Sequence, residues 1–226
     1  MLFRSTWGDQ GAGLTPDPQV AALVAQADAR VEPLVARVVG LAQGALARSE
    51  TPAGESALGN LIADAQRVAT NAQISFMNPG GIRADLDSGE VTWGELFAIQ
   101  PFANDLVSMD LSGAQIKTLL EQQWIGQSYP RLLKPSGIQY SWAASRPEGN
   151  RVIEMRDASG ALINPATTYR VTVNSFLAGG GDNFSILTEG TNRIVGPVDL
   201  DALVGYIETQ PQPFSASVEG RIQRVD

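Results

Sequence analysis

Residues 55–83 read ESALGNLIADAQRVATNAQISFMNPGGIR, a stretch that joins a helix pattern to a strand pattern and then to a loop with adjacent glycines. From Glu55 to about Thr70, apolar residues recur on one face at the spacing of an α-helix. Residues 73–77 form a short apolar run that is typical of a buried strand, and the loop follows directly. The stretch therefore predicts a helix packed on a sheet, with a loop at the end of the strand.

On either side of this stretch, helix and strand patterns alternate without a regular βαβ repeat. Helices are predicted over residues 17–35, 112–124 and 199–209, and a capping-box pattern at residues 92–95 predicts a further short helix. Strands are predicted over residues 35–41, 104–111, 137–142, 151–157, 161–163, 169–174 and 215–225. We therefore expect an α+β fold with a mixed sheet, forming one domain over residues 35–226. Residues 1–16 are expected to form a disordered tail. Residues 17–34 are expected to form a helix that either packs into the core or connects this domain to another, and we favour the connector.

Composition restricts the possible functions. The net charge of −8 argues against a protein that binds the phosphate backbone of nucleic acids. The chain contains no cysteine and no histidine, which excludes thiol chemistry and the usual serine-triad base. No apolar run is long enough for a membrane helix or a signal peptide, so we expect no membrane partner and a secretory signal, if any, upstream.

The loop Asn78-Pro-Gly-Gly-Ile-Arg83 is the first candidate site. Gly80 and Gly81 lack side chains and let a ligand approach the backbone closely. The Asn78 amide suits a base edge or a ribose hydroxyl, and the Arg83 guanidinium suits a phosphate or carboxylate. On spacing alone, the more favoured interpretation is a tight turn in which Arg83 pairs with a nearby aspartate.

Two further segments are candidates. In Asn174-Ser-Phe-Leu-Ala-Gly-Gly-Gly-Asp-Asn-Phe184, three successive glycines indicate a loop that Phe176 and Phe184 flank. The Asp182 carboxylate could accept hydrogen bonds from ribose hydroxyls. The alternative is a flexible turn with its phenylalanines in the core. The segment Gln100-Pro-Phe102-Ala-Asn104 says little alone, because a phenylalanine after a proline usually fills a core.

Together these motifs, with residues 55–64, resemble in content and order the C-terminal domain of the 5′-nucleotidase family over about residues 35–226. The resemblance implies a four-layer α/β/β/α domain that binds the nucleoside part of a nucleotide. It implies that Phe102 and Phe176 sandwich the base and that Asp182 holds the ribose hydroxyls. Asn78 would touch the base, and Arg83 the ribose or phosphate. Gly80, Gly81 and Gly181 would line the site, and Arg48 is a further, weaker candidate.

The resemblance also implies what a complete enzyme needs. Relatives carry an N-terminal metallophosphatase domain with two divalent metals of the zinc or manganese class, held by histidines, aspartates and an asparagine. A chain without histidine is expected to hold none of these cofactors and to be inactive alone. The parent protein is expected to be periplasmic, cell-surface or secreted. Two alternatives stay open: a free-standing nucleoside-binding module, and a hydrolase that binds Mg²⁺ through Asp85, Asp87 and Glu90.

Overall fold

The fold is described from a computed structural model, which covers residue 15 and residues 17–226. The tail predicted over residues 1–16 therefore lies outside the described residues, except for Thr15. Six helices are described: α1 (Pro18–Val35), α2 (Ala57–Ala69), α3 (Trp93–Ile99), α4 (Gly113–Glu121), α5 (Ser175–Ala178) and α6 (Asp199–Thr209). Ten strands are described: β1 (Val38–Ala42), β2 (Ile74–Met77), β3 (Gly89–Thr92), β4 (Asp105–Ser112), β5 (Lys134–Ser136), β6 (Ile138–Trp142), β7 (Val152–Asp157), β8 (Thr168–Asn174), β9 (Thr191–Val198) and β10 (Ile222–Arg224).

Side-chain caps fix the starts of the main helices. The Asp17 carboxylate accepts hydrogen bonds from the first backbone N–H groups of α1, and Pro18 occupies the first helical position. Thr92 begins α3 and Ser112 begins α4, each within a reciprocal capping box. Such caps satisfy N–H groups that have no partner inside the helix. The predicted starts at Pro18, Thr92 and Ser112 are confirmed within a residue.

Two mixed sheets and one small antiparallel sheet form the β structure. The five-stranded sheet has the order β5-β2-β8-β4-β9, in which only β2 and β8 are parallel. The three-stranded sheet has the order β10-β6-β7, in which β10 and β6 are parallel. Strands β1 and β3 form the antiparallel pair. The predicted α+β class with mixed sheets is confirmed.

Alternation along the strands separates two hydrophobic cores. Ile74 and Phe76 of β2 point into a core shared with α4 and the three-stranded sheet. Met77 belongs to a second core, built from α2, α3, α6, β1 and β3. Helices α2 and α6 thus cover one face of the five-stranded sheet, and the three-stranded sheet and α4 lie beyond the other. This succession is the expected four-layer α/β/β/α arrangement.

Helix α1 differs from the other long helices because none of its residues is buried. Val20, Leu23 and Val24 are each more than half exposed, and α1 contacts the domain through α3. The interpretation of α1 as packed core is therefore wrong. Its role as a connector stays a prediction. No helix within the described residues has the length and apolar character needed to span a membrane.

Several predicted elements need correction. Residues 161–163 form a single bridge, Leu162 to Arg156, because a tight turn precedes them and the chain then leaves the strand. Of residues 215–225 only Ile222–Arg224 form a strand. The segment 176–184, predicted as a loop, contains most of α5 and a 3₁₀ turn at Gly181–Asn183. The sequence patterns missed β3, β5 and β9.

Candidate functional site

The parallel pairing of β2 with β8 brings the first and second candidate motifs together. Ile74 lies opposite Val171 and Ser75 opposite Thr172, so the carboxyl ends of both strands meet at one edge. Asn78 follows β2, and Asn174 is the last residue of β8. Strand β4 runs antiparallel to β8 and places Leu106 opposite Asn174, which brings the Phe102–Asn104 segment to the same edge.

A cavity of about 400 Å³ opens at this edge. Its lining consists of Asn78, Gly80, Gly81, Phe102, Asn104, Asn174, Phe176 and Asp182. Six of these eight residues were candidates from the sequence. The volume lies within the range of about 300–1,000 Å³ that small-molecule sites occupy.

Both aromatic side chains at the cavity are open to solvent. Phe102 is 55% exposed and Phe176 is 49% exposed, whereas the neighbouring Phe184 is fully buried. The core-filler interpretation of Phe102 is therefore wrong, and of the two phenylalanines flanking the glycines only Phe184 is core. Large apolar side chains exposed at a concave site are available to contact a ligand.

Asp182 is held in place by several contacts. Its Oδ2 accepts a hydrogen bond from Asn78 Nδ2 at 3.0 Å, and its Oδ1 lies 3.6 Å from Arg131 Nη1. Its backbone oxygen accepts a hydrogen bond from Gln127 Nε2 at 2.6 Å. Its φ of 54° lies in the left-handed region, which residues other than glycine adopt sparingly. Strained backbone held by surrounding contacts is common where side chains serve a ligand.

Asn104, another residue of the cavity lining, is held by hydrogen bonds to Asp199 and Ser175. Asn104 Nδ2 donates to Asp199 Oδ2 at 3.3 Å, and Asn104 Oδ1 accepts from Ser175 Oγ at 3.3 Å. Burial raises the pKa of the Asp199 carboxyl, against the hydrogen bonds it accepts from Asn104 and from the Leu200 backbone. Asn104 is therefore oriented by two different elements, α5 and α6.

The two arginines predicted from the sequence lie outside the cavity lining. Arg83 is at its rim: Nη1 donates to Gly80 O at 3.2 Å, and the guanidinium carbon lies 6.0 Å from the Phe102 ring centre. Among the described residues it forms no ion pair with Asp85 or Asp87, the alternative from spacing. Arg48 Nη1 donates to Ile82 O at 3.1 Å, on the far side of the loop.

Sequence reasoning missed Asn104, Asn174 and Arg131. Asn104 and Asn174 stand at the ends of motifs that were singled out, and an asparagine at the end of a strand is a signal that could have marked them. Arg131 gave no signal, because its contact with Asp182 joins distant segments.

Gly181 allows the close approach of Phe176 to its own loop. A Cβ on Gly181 would lie 2.6 Å from both the Phe176 ring and the Phe176 carbonyl oxygen. Such distances are not sustained, so the ring or the loop would have to move. We expect Gly181→Ala to shift Phe176 and to weaken ligand binding at the cavity by about tenfold, or about 1.4 kcal/mol.

The control for this prediction is Gly44→Ala, since a Cβ there meets no atom within 4 Å. Affinity for adenosine, measured by calorimetry, is expected to fall for Gly181→Ala and to stay unchanged for Gly44→Ala. Equal affinities for both variants would show that the Phe176 position does not matter for binding.

The described residues hold no metal-binding group. No cluster of three or more acids is placed to hold an ion within residues 17–226, and the sequence has no histidine or cysteine. Asp85 instead accepts a hydrogen bond from the Arg48 backbone at 2.7 Å. Asp85, Asp87 and Glu90 therefore do not form the Mg²⁺ site considered from the sequence.

Comparison with known proteins identifies the family of this chain. Residues 35–189 match the model of the 5′-nucleotidase C-terminal domain. The chain is 34% identical over 212 residues to the endonuclease YhcR of Bacillus subtilis, covering 93% of this chain and 17% of that protein. It is 32% identical to the cell wall protein Lmo0130 of Listeria monocytogenes, covering 92% and 29% respectively.

Among solved structures, the 5′-nucleotidase precursor of Thermus thermophilus is similar with a TM-score of 0.81 and 33% identity. The match covers 94% of this chain and 44% of that one. The chain thus spans less than half the length of each of these three proteins. With 155 of 226 residues inside the family match (35 to 189 inclusive), the chain belongs to the 5′-nucleotidase C-terminal domain family.

Proposed function

We propose that this chain binds the base and ribose of a nucleotide, as the substrate-specificity domain of a 5′-nucleotidase. The observation that carries the proposal is the meeting of Phe102, Phe176 and Asp182 at one cavity, although they come from distant segments. Exposed rings provide stacking faces that tolerate any base. A carboxylate is suited to accept hydrogen bonds from two neighbouring ribose hydroxyls.

In this proposal Phe102 and Phe176 sandwich the base, and Asp182 binds the ribose. Asn78, Gly80, Gly81 and Gly181 form the wall between them. Asn78 keeps one amide hydrogen and one acceptor lone pair beyond its two side-chain hydrogen bonds, which leaves capacity for a ligand. Arg83, at the rim beside Phe102, faces the ribose or phosphate. Arg48 is assigned only to support of the Ile82 backbone, because its guanidinium is bound there.

Hydrolysis is assigned to a part of the parent protein other than this chain. The family is one of metallophosphatases, and the residues of this chain do not fit a dimetal site, as described above. We place the two divalent metals of the zinc or manganese class in an N-terminal metallophosphatase domain. When bound there, they would polarise the phosphate and activate a water. The comparisons with 5′-nucleotidases do not favour a free-standing nucleoside-binding module.

The same proposal covers domain organisation and location. Residues 35–226 would form the substrate domain and residues 17–34 the connector, which the exposure of α1 supports. One relative is a cell wall protein, so we place the parent protein outside the cytoplasm, in the periplasm, at the cell surface or secreted.

A titration of adenosine and AMP into the chain tests the proposal. Because one stacked ring contributes about 1–3 kcal/mol, Phe102→Ala and Phe176→Ala are each expected to weaken binding by about 5- to 150-fold. Isothermal calorimetry at high protein concentration measures these affinities. The wild-type affinity is expected to be weak, since phosphate contacts are supplied elsewhere.

Ile194→Ala is the matched control, because Ile194 is 62% exposed on β9 and does not line the cavity. It is expected to bind like the wild type. Absence of adenosine binding, or unchanged affinity in both phenylalanine variants, would remove the sandwich.

A further inference from the structure

We propose that Asn174 is a positioning residue of this cavity. Its single amide group orients Asp182 through Asn78 and also caps the helix that carries Phe176. The inference rests on the proposed function, in which Asp182 binds ribose hydroxyls and Phe176 stacks on the base. Asn174 is 1% exposed, and it is not among the residues assigned to the ligand.

The first set of hydrogen bonds, called the carboxylate arm here, connects Asn174 to the Asp182 carboxylate. Asn174 Nδ2 donates to Asn78 Oδ1 at 2.9 Å, and Asn78 Nδ2 donates to Asp182 Oδ2 at 3.0 Å. Asn78 is also buried, at 3% exposure. The two bonds join residues 96 and 104 positions apart in the chain, so they tie β2, β8 and the glycine loop together.

The second contact, called the aromatic arm here, connects Asn174 to the helix that carries the Phe176 ring. Asn174 Oδ1 accepts a hydrogen bond from the backbone N–H of Leu177 at 2.9 Å, which caps the start of α5. Helix α5 is a single turn of four residues, so this cap is a large part of its hydrogen bonding. Phe176 lies within that turn, and its ring direction depends on the turn being formed.

The two arms are linked by the polarity of the amides. A backbone N–H can only donate, so Leu177 requires the Asn174 oxygen on its side. The Asn174 NH₂ group must then face Asn78, which places the Asn78 oxygen toward Asn174. The Asn78 NH₂ group is thereby directed at Asp182. The Leu177 N–H thus determines the direction of both amides. As a result, the Asn78 NH₂ group donates a hydrogen bond to one carboxylate oxygen of Asp182.

This polarity makes Asn174→Asp an informative variant. Aspartate keeps an oxygen acceptor for the Leu177 N–H and therefore keeps the cap of α5. It replaces the NH₂ donor by a second oxygen, which repels the Asn78 oxygen and turns the Asn78 amide around. Asp182 then faces an oxygen instead of a donor. The variant therefore changes the contacts of the Asp182 carboxylate while it keeps the cap of the helix that carries Phe176.

The test compares two probes, adenosine and 2′,3′-dideoxyadenosine, which lacks the neighbouring 2′- and 3′-hydroxyls. Wild-type chain is expected to prefer adenosine by between about 5- and 150-fold, the cost of leaving the Asp182 acceptor unpaired once a ligand covers it. In Asn174→Asp this preference is expected to fall by about threefold or more, while affinity for the dideoxy probe falls less than affinity for adenosine. A merely structural role would weaken both probes equally and leave their ratio unchanged.

Three further measurements complete the design. Asn174→Ser also keeps a capping oxygen, and it replaces the aspartate variant if a buried charge prevents folding. Ser112→Ala removes the cap of α4, away from the cavity, and is expected to lower thermal stability without altering the probe ratio. In Asp182→Ala, we expect the side-chain amide ¹H–¹⁵N resonances of both Asn78 and Asn174 to shift. This measurement does not require a substitution at Asn174.

The outcomes distinguish the inference from the proposed function. A wild-type chain that does not bind adenosine, or that binds both probes equally, contradicts the assignment of Asp182 to the ribose. A wild-type preference that persists in Asn174→Asp and Asn174→Ser overturns the positioning role and leaves the proposed function standing. An Asn174 resonance that does not respond to Asp182→Ala also overturns it.

Discussion

Glu55→Ala is expected to lower the free energy of unfolding by about 3–5 kcal/mol, a large share of the roughly 5–15 kcal/mol typical of a domain. Glu55 is fully buried. Its Oε1 accepts from Asn60 Nδ2 and from the Glu219 backbone, both at 2.7 Å, and its Oε2 accepts from the Ile222 backbone at 3.3 Å. Alanine leaves three donors without this acceptor, two of which belong to the buried residues Asn60 and Ile222. A buried donor without a partner costs about 1–3 kcal/mol before water relieves part of it.

A second effect of Glu55→Ala acts through Lys134, whose side chain is fully buried. Burial lowers the pKa of the Lys134 ammonium, and the charges of Glu50 and Glu55 oppose that shift. Loss of Glu55 therefore removes part of the compensation for a buried positive charge. Since Glu55 also holds residues 219 and 222, β10 is expected to detach first.

Urea unfolding followed by tryptophan fluorescence measures this change. Glu148→Ala, at an exposed position, is the matched control and is expected to stay within about 0.5 kcal/mol of the wild type. Glu55→Gln keeps one acceptor oxygen and is expected to fall between the two. An unfolding midpoint for Glu55→Ala equal to that of the control would show that these hydrogen bonds do not stabilise the domain.

The second large effect concerns turnover. Purified chain with Mn²⁺ or Zn²⁺ and AMP is expected to release phosphate far below about 1 per second, the lower end of ordinary enzyme rates. The reason lies in the available side chains. The chain has no histidine, and several of its acids are already engaged: Asp64 with Arg221, Asp110 with Arg170, and Asp182 with Asn78.

Phosphate release is measured with and without EDTA, using the Thermus thermophilus 5′-nucleotidase as the positive control. Turnover by the chain at about 1 per second or faster, abolished by EDTA, would contradict the assignment of hydrolysis to another domain. The adenosine titration is independent of this result, because binding does not require the metals.

Local signals determined the helices of this protein other than the single-turn α5. In α2, apolar residues three and four positions apart form one face, and Ser56 caps its start. The boxes at Thr92 and Ser112 join residues three positions apart. Because these interactions lie within one turn, a linear pattern contains all of their information. The predicted class followed from them and from the family resemblance.

Strand β9 shows where the linear pattern fails. All of Thr191–Val195 is exposed, and β9 lies at the edge of its sheet, so no alternation of apolar and polar residues marks it. Strand β5 is too short, at three residues, to show a period. Both strands form because β4 and β2 offer them backbone partners.

For the cavity, the sequence determined which residue types were present in its motifs, and the resemblance nominated Phe102, Phe176 and Asp182. Only the tertiary structure decided that Asn174 and Asn78 connect Asp182 to the helix that carries Phe176, and that Arg48 turns to the Ile82 carbonyl. The physical reason is distance along the chain. The register of β2 against β8 brings together side chains about a hundred residues apart, and that register is set by the burial of whole strand faces.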